Sequence, residues 1–211
     1  MTTLKAIALA LAAGLSAITL GAAAQAATIL PKNDTTVLVT APLAALGLGG
    51  APTGTANVTL NPDNKPIFAF DITGGSIDKA GNALIRHDGS GVQLFALADT
   101  SISATVGNFL IDTLAGTVSG IVNGTGASTV LFNFGEVTKR GISLNISSGL
   151  AGALTAVFGA PDLTGVRFGF ANTAPETAAV PVPAPFALLL GAIVGLAAIR
   201  RRLAPAQALS A

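Results

Sequence analysis

Cysteine, tryptophan and tyrosine are absent from the 211 residues, and histidine occurs once. The lack of cysteine excludes disulfide staples, thiolate zinc sites and thiol nucleophiles, so stability has to come from packing and from hydrogen-bonded backbone. Without tryptophan and tyrosine, the rings that usually stack on carbohydrate are missing. The single histidine, His87, limits any serine triad to one base, and no Gly-x-Ser-x-Gly elbow, phosphate loop, HExxH or EF-hand spacing occurs. Charge is also scarce, at 10% of residues. Between residues 28 and 179 seven basic side chains face ten acidic ones, a net charge of −3, so nothing draws nucleic acid electrostatically.

What the chain does have begins at its ends. The N-terminal stretch carries Lys5, an apolar run over residues 6–20 and the small-x-small triplet Ala24-Gln25-Ala26. That order predicts a secretory signal over residues 1–27, cut near Ala26 or Ala27. Near the other end, residues 186–199 form a charge-free run of fourteen residues. As a helix this run spans about 21 Å, short of a hydrocarbon core of roughly 30 Å. Arg200, Arg201 and Arg202 follow it as a stop-transfer cluster, so a short membrane helix with its basic stop is expected over 186–202 and a cytoplasmic tail over 203–211.

The five residues Val180, Pro181, Val182, Pro183 and Ala184, followed by this span and its arginines, resemble the VPLPA variant of the PEP-CTERM sorting signal. Val182 is the one departure from that pattern. The resemblance implies a Gram-negative envelope protein that is anchored in the inner membrane, cut by an exosortase-like sorting peptidase, and then released or held at the cell surface. For a matrix protein of this kind, exopolysaccharide or other envelope proteins are the expected partners.

Between the ends, glycine and threonine do the punctuating. Residues 35–40, 55–60, 67–72, 91–97, 105–111, 116–122, 130–134, 142–146 and 166–170 are short and rich in β-branched or aromatic residues, with turn signals between them. They predict a mainly β fold for residues 28–172: a single antiparallel domain, sandwich or barrel-like, with one or two short helices. Ile142-Ser143-Leu144-Asn145-Ile146 alternates as a half-buried strand does, whereas the run at 67–72 (IFAFDI) suggests burial on both faces. Leu150, Leu154, Val157 and Phe158 recur at helical spacing, with Ser148 as candidate N-cap and Gly159 as the stop. A second short helix is expected over 40–46, with Pro42 in its first turn and Gly47 ending it. Residues 173–185 read as a proline-rich linker and sorting motif.

The densest polar cluster of the body is Ile85-Arg86-His87-Asp88-Gly89-Ser90-Gly91. Taken with residues 71–76 before it and 108–113 after it, the order resembles the HtaA-type haem-binding β domain, whose motif places a His-x-Gly step between strands. The resemblance implies His87 as a supporting haem residue. The family's tyrosine ligand has no counterpart here. His87 and Asp88 are therefore the candidate ligand-binding residues, and a turn histidine bonded to Asp88 or to backbone is the simpler expectation. Asp71, Asp78 and Asp99 border glycine-rich segments and read as turn residues, as do Asp63 and Asn64, whose hard oxygens lack the spacing of a calcium loop. No metal site and no catalytic residue is expected. The leading expectation is a non-catalytic structural or adhesive envelope protein, followed by a surface module for haem or another small ligand, with an extracellular hydrolase third.

Overall fold

The structure is a computed structural model and describes residues 26–123 and 127–178. The signal segment, the sorting motif at 180–184, the apolar span and the arginines at 200–202 lie outside the described residues. Among those described, no helix is long and apolar enough to cross a membrane.

Twelve strands make up most of the body: β1 (Ala27–Ile29), β2 (Asp34–Val39), β3 (Leu48–Gly54), β4 (Asn57–Leu60), β5 (Pro66–Asp71), β6 (Gly74–Ile77), β7 (Ala83–Ala96), β8 (Ser103–Asp112), β9 (Thr117–Val122), β10 (Ser128–Thr138), β11 (Gly141–Ile146) and β12 (Arg167–Thr173). One helix, α1 (Ser148–Phe158), separates β11 from β12, and a single 3-10 turn occupies Leu43–Leu46. All the ladders are antiparallel and belong to one sheet, in the order β1, β6, β7, β8, β9, β10, β11, β12, β2, β5, β4. β3 pairs with the second half of β7, on the edge that β6 occupies along the first half. Of the two architectures expected, the sheet takes the barrel-like one: it curls into a half-barrel around a single core.

The curl is visible in the hydrogen bonds that join distant parts of the path. Thr73 N, just beyond β5, donates to Arg86 O of β7 at 2.8 Å. On the other side, Leu30 N donates to Glu176 O and Ala178 N to Thr28 O, both at 2.8 Å, so β1 lies along the residues that follow β12. The expected linker therefore starts later than residue 173. Thr173 is the last residue of β12, Thr177 bridges Ile29, and Lys32 pairs with Glu176 at 2.8 Å.

Alternation explains which faces are buried. In β5, Phe68 and Phe70 are buried while Ile67 and Ala69 are only half-buried, so the apolar run IFAFDI is covered on one face rather than two. In β8 the buried residues are Ala104, Val106, Phe109 and Ile111; the change of parity after Val106 marks a bulge at Asn108. α1 buries Leu150, Ala151 and Leu154 against this inner face. Its N-cap is Ser147, one residue before the expected Ser148: Ser147 Oγ accepts from Leu150 N and donates to the Val130 carbonyl at 2.5 Å. Gly159 ends α1 and Gly47 ends the 3-10 turn, both in the left-handed conformation expected of glycine at those places.

Candidate functional site

β7 is where the sequence is most misleading. Asp88-Gly89-Ser90 has the composition of a turn, yet the strand runs straight through it. His87 pairs with Phe109 and Gly91 with Gly107, so three residues of β7 oppose Asn108 alone. This is a large β-bulge, and it absorbs the glycine without ending the strand. Asn108 sits at φ 51° and its Oδ1 accepts from Gly89 N at 2.8 Å, which holds the bulge closed. On the facing edge, Gly54 adopts φ 64°, and a Cβ there would fall 1.8 Å from the Gly89 carbonyl oxygen, so only glycine lets β3 dock at this place.

The continuous strand puts Ala83, Ile85 and His87 on the inner face and Leu84, Arg86 and Asp88 on the outer one. His87 is consequently a core residue, 1% exposed, and the expected turn histidine is corrected on that point. Asp88 points the other way: its backbone N–H donates to Thr73 Oγ1 at 3.0 Å and its side chain is exposed. The structure thus separates the two candidate ligand-binding residues instead of joining them.

His87 Nδ1 lies 2.9 Å from the backbone oxygen of Asp71. A carbonyl can only accept, so Nδ1 carries the proton and Nε2 holds a lone pair. Nε2 is buried and has no hydrogen-bond partner among the described residues. Burial pushes the imidazole down from its ordinary value of 6.5; the carbonyls of Asp71 and Phe70 and the charges of Asp88 and Asp34 pull the other way, less strongly. Neutral imidazole is therefore the working form.

The ring forms part of the wall of an apolar cavity of about 200 Å³ inside the curl of the sheet. Five of the ten phenylalanines line it: Phe68 and Phe70 from β5, Phe109 from β8, Phe132 from β10 and Phe168 from β12. Phe70 meets Phe109 edge to face at 4.9 Å and approaches the His87 ring at 6.4 Å. Leu150 and Leu154 of α1 close one side, and Leu43 and Leu46 of the 3-10 turn contribute another. Among the described residues the wall includes no charged side chain; His87 and Thr35 are its polar members. Thr35 Oγ1 is already engaged with Thr173 Oγ1 at 2.9 Å.

These dimensions do not fit haem. Pockets for drug-sized ligands begin at about 300 Å³, above the space here. Asp71 contributes its backbone carbonyl to His87, while Asp78 and Asp99 serve local turns. Asp63 and Asn64 belong to a turn in which Asn61 Oδ1 accepts from the N–H groups of Asp63 and Lys65. Among the described residues, no three histidine, aspartate or glutamate side chains gather as metal ligands do.

The cavity was not legible in the sequence, because its phenylalanines come from four strands far apart in the chain. One signal for His87 was present: extending the strand at 91–97 backward past the bulge gives His87 the parity of Ile85. Compared with known families, with curated proteins and with solved structures, the chain matches none.

Proposed function

We propose that this chain is an exported envelope protein whose β domain is a non-catalytic carrier of a small apolar molecule, delivered to the cell surface by its C-terminal sorting signal. The observation that carries the binding half is the aromatic, charge-free cavity of about 200 Å³. An apolar cavity of about 150 Å³ suffices to take up benzene, and a void this size left unfilled forfeits packing that a ligand would restore. The delivery half rests on the signal-like N-terminus and on the PEP-CTERM-like residues 180–184, 186–199 and 200–202.

Toluene tests the binding half. The exported protein, purified as the cell processes it, is expected to melt at a higher temperature with toluene than without, and the rise should saturate. A melting curve indifferent to toluene overturns the reading. Mass spectrometry of the same material tests delivery: a mature form lacking residues 186–211 fits a sorting signal, whereas an intact Ala211 leaves a simple anchor.

A structural or adhesive role is the second reading, and β4 is what favours it. This strand ends the hydrogen-bonded path and all four of its residues are exposed, with Leu60 at 65%. An open strand edge of this kind is a template on which another chain can add a strand. Concentration-dependent assembly abolished by Val58→Pro would support it.

A further inference from the structure

We infer that the cavity takes a strict hydrocarbon, a compact molecule of about toluene's size with no hydroxyl, amino, carbonyl or charged group, and that it refuses molecules of the same shape that carry one. The inference rests on the carrier reading and adds the chemical class of the cargo together with the class turned away.

Three observations converge on it. The first is the surface of the cavity: among the described residues it exposes no nitrogen and no oxygen. The strands around it spend their backbone N–H and C=O groups on one another, in the plane of the sheet and away from its inner face. The second is the state of the two polar side chains in the wall. Thr35 Oγ1 donates to Thr173 Oγ1, and His87 Nδ1–H donates to the Asp71 carbonyl, each at 2.9 Å. His87 Nε2 is closed off even from an atom the size of a water oxygen, so both residues offer the cavity only carbon. The third is size. The space of about 200 Å³ exceeds the roughly 150 Å³ that suffices for benzene, which leaves room for one ring and a short side chain but not for a long-chain lipid.

Such a wall selects by withholding partners. A hydroxyl that enters has to leave the water bonded to it and finds neither donor nor acceptor in exchange. Water cannot follow it in as a bridge, because a buried water needs about two to four polar partners and this surface supplies none. A methyl group in the same place loses nothing on leaving water and gains contact with the rings of Phe70, Phe109, Phe132 and Phe168. The discrimination therefore acts alike on phenols, alcohols, amines and acids.

Toluene and phenol form the test pair, since a methyl and a hydroxyl of nearly equal size exchange places on one ring. Methylcyclohexane and cyclohexanol repeat the exchange on a saturated ring, which separates the effect of the hydroxyl from that of the aromatic system. Titrated into the exported protein, purified as the cell processes it, toluene and methylcyclohexane are expected to bind one to one. Phenol and cyclohexanol should each bind about tenfold or more weakly than the matching hydrocarbon, the consequence of burying a hydroxyl without a partner. Proton NMR gives the location: the toluene methyl should show nuclear Overhauser contacts to the rings of Phe70 and Phe109. Equal binding of the two members of either pair would overturn the strict class while leaving the cavity a carrier. Binding of none of the four, or toluene contacts confined to residues outside the cavity, would overturn the carrier reading itself.

Discussion

At the turns, polar side chains are answered by their own neighbours in sequence; in the cavity, His87 is answered from sixteen residues away and on one nitrogen only. Asp99 Oδ1 accepts from the N–H and the hydroxyl of Ser101 at 2.9 and 2.7 Å, and Asp162 does the same with Thr164. Asp78 accepts from the backbone and side chain of Asn82, both at 2.8 Å. In each case these hydrogen bonds hold the carboxylate below its ordinary value. The difference is one of range: a turn completes the bonding of its own carboxylate, whereas the environment of a buried imidazole is set by strands distant in the chain.

The strongest attack on this contrast is to remove the wall that isolates His87. Phe109→Ala should cost about 3–5 kcal/mol in chemical denaturation, the usual range for truncating a buried phenylalanine. Phe109 is 8% exposed and packs against Phe70, so a loss under about 1 kcal/mol would mean that the cavity is far looser than described.

Next comes His87→Ala, expected to cost about 2–4 kcal/mol, because it leaves the Asp71 carbonyl without its donor and enlarges the cavity. A turn histidine would lose only about 0.5–1.5 kcal/mol, so this variant decides between the two placements. His87→Phe should cost less than His87→Ala, since it refills the space and removes the unpartnered nitrogen.

Titration sharpens the comparison further. His87 is depressed in the folded state, so the unfolded chain binds its proton first as pH falls. Stability is therefore full above the ordinary value of 6.5 and declines as pH drops from there toward the depressed folded value. The turn aspartates act in a lower window: their stabilisation is present above 3.8 and is lost as pH falls through their depressed values. Denaturant midpoints measured from pH 8 to pH 4 should show the upper decline, and His87→Phe should erase it.

The smallest effect is expected from the turns themselves. Asp99→Ala and Asp162→Ala remove only exposed, local bonds, so their denaturation curves should nearly overlay that of the unmodified protein. A large loss at either position would show that a turn carries more than its own geometry.

The strands that could be read in advance share a feature: β2, β5, β8 and β11 alternate apolar and polar residues or carry β-branched and aromatic side chains. β3 (LGGAPTG) and β6 (GGSI) lack it and were not anticipated, nor was the first half of β7. Their local propensity is poor, and they are strands because neighbours supply the ladder. In β6, Gly75 adopts φ 143° with its Cα so near the Leu84 carbonyl that a Cβ would lie 2.0 Å from the oxygen. Composition reads such glycines as turns, because the close approach that requires them exists only between strands.

By itself the sequence determined the class of the protein: mainly β, held without disulfides, with one helix started by serine and stopped by Gly159, because periodicity and capping act over a few residues. The tertiary structure alone decided that the sheet curls into a half-barrel, that Asp88-Gly89-Ser90 is a bulge, and that His87 and Asp88 part to opposite faces. It also decided the cavity, since Phe68, Phe109, Phe132 and Phe168 meet only after strands distant in the chain have paired. The physical reason is one of range: turn chemistry is settled by adjacent atoms, while burial of a side chain depends on every strand that closes over it.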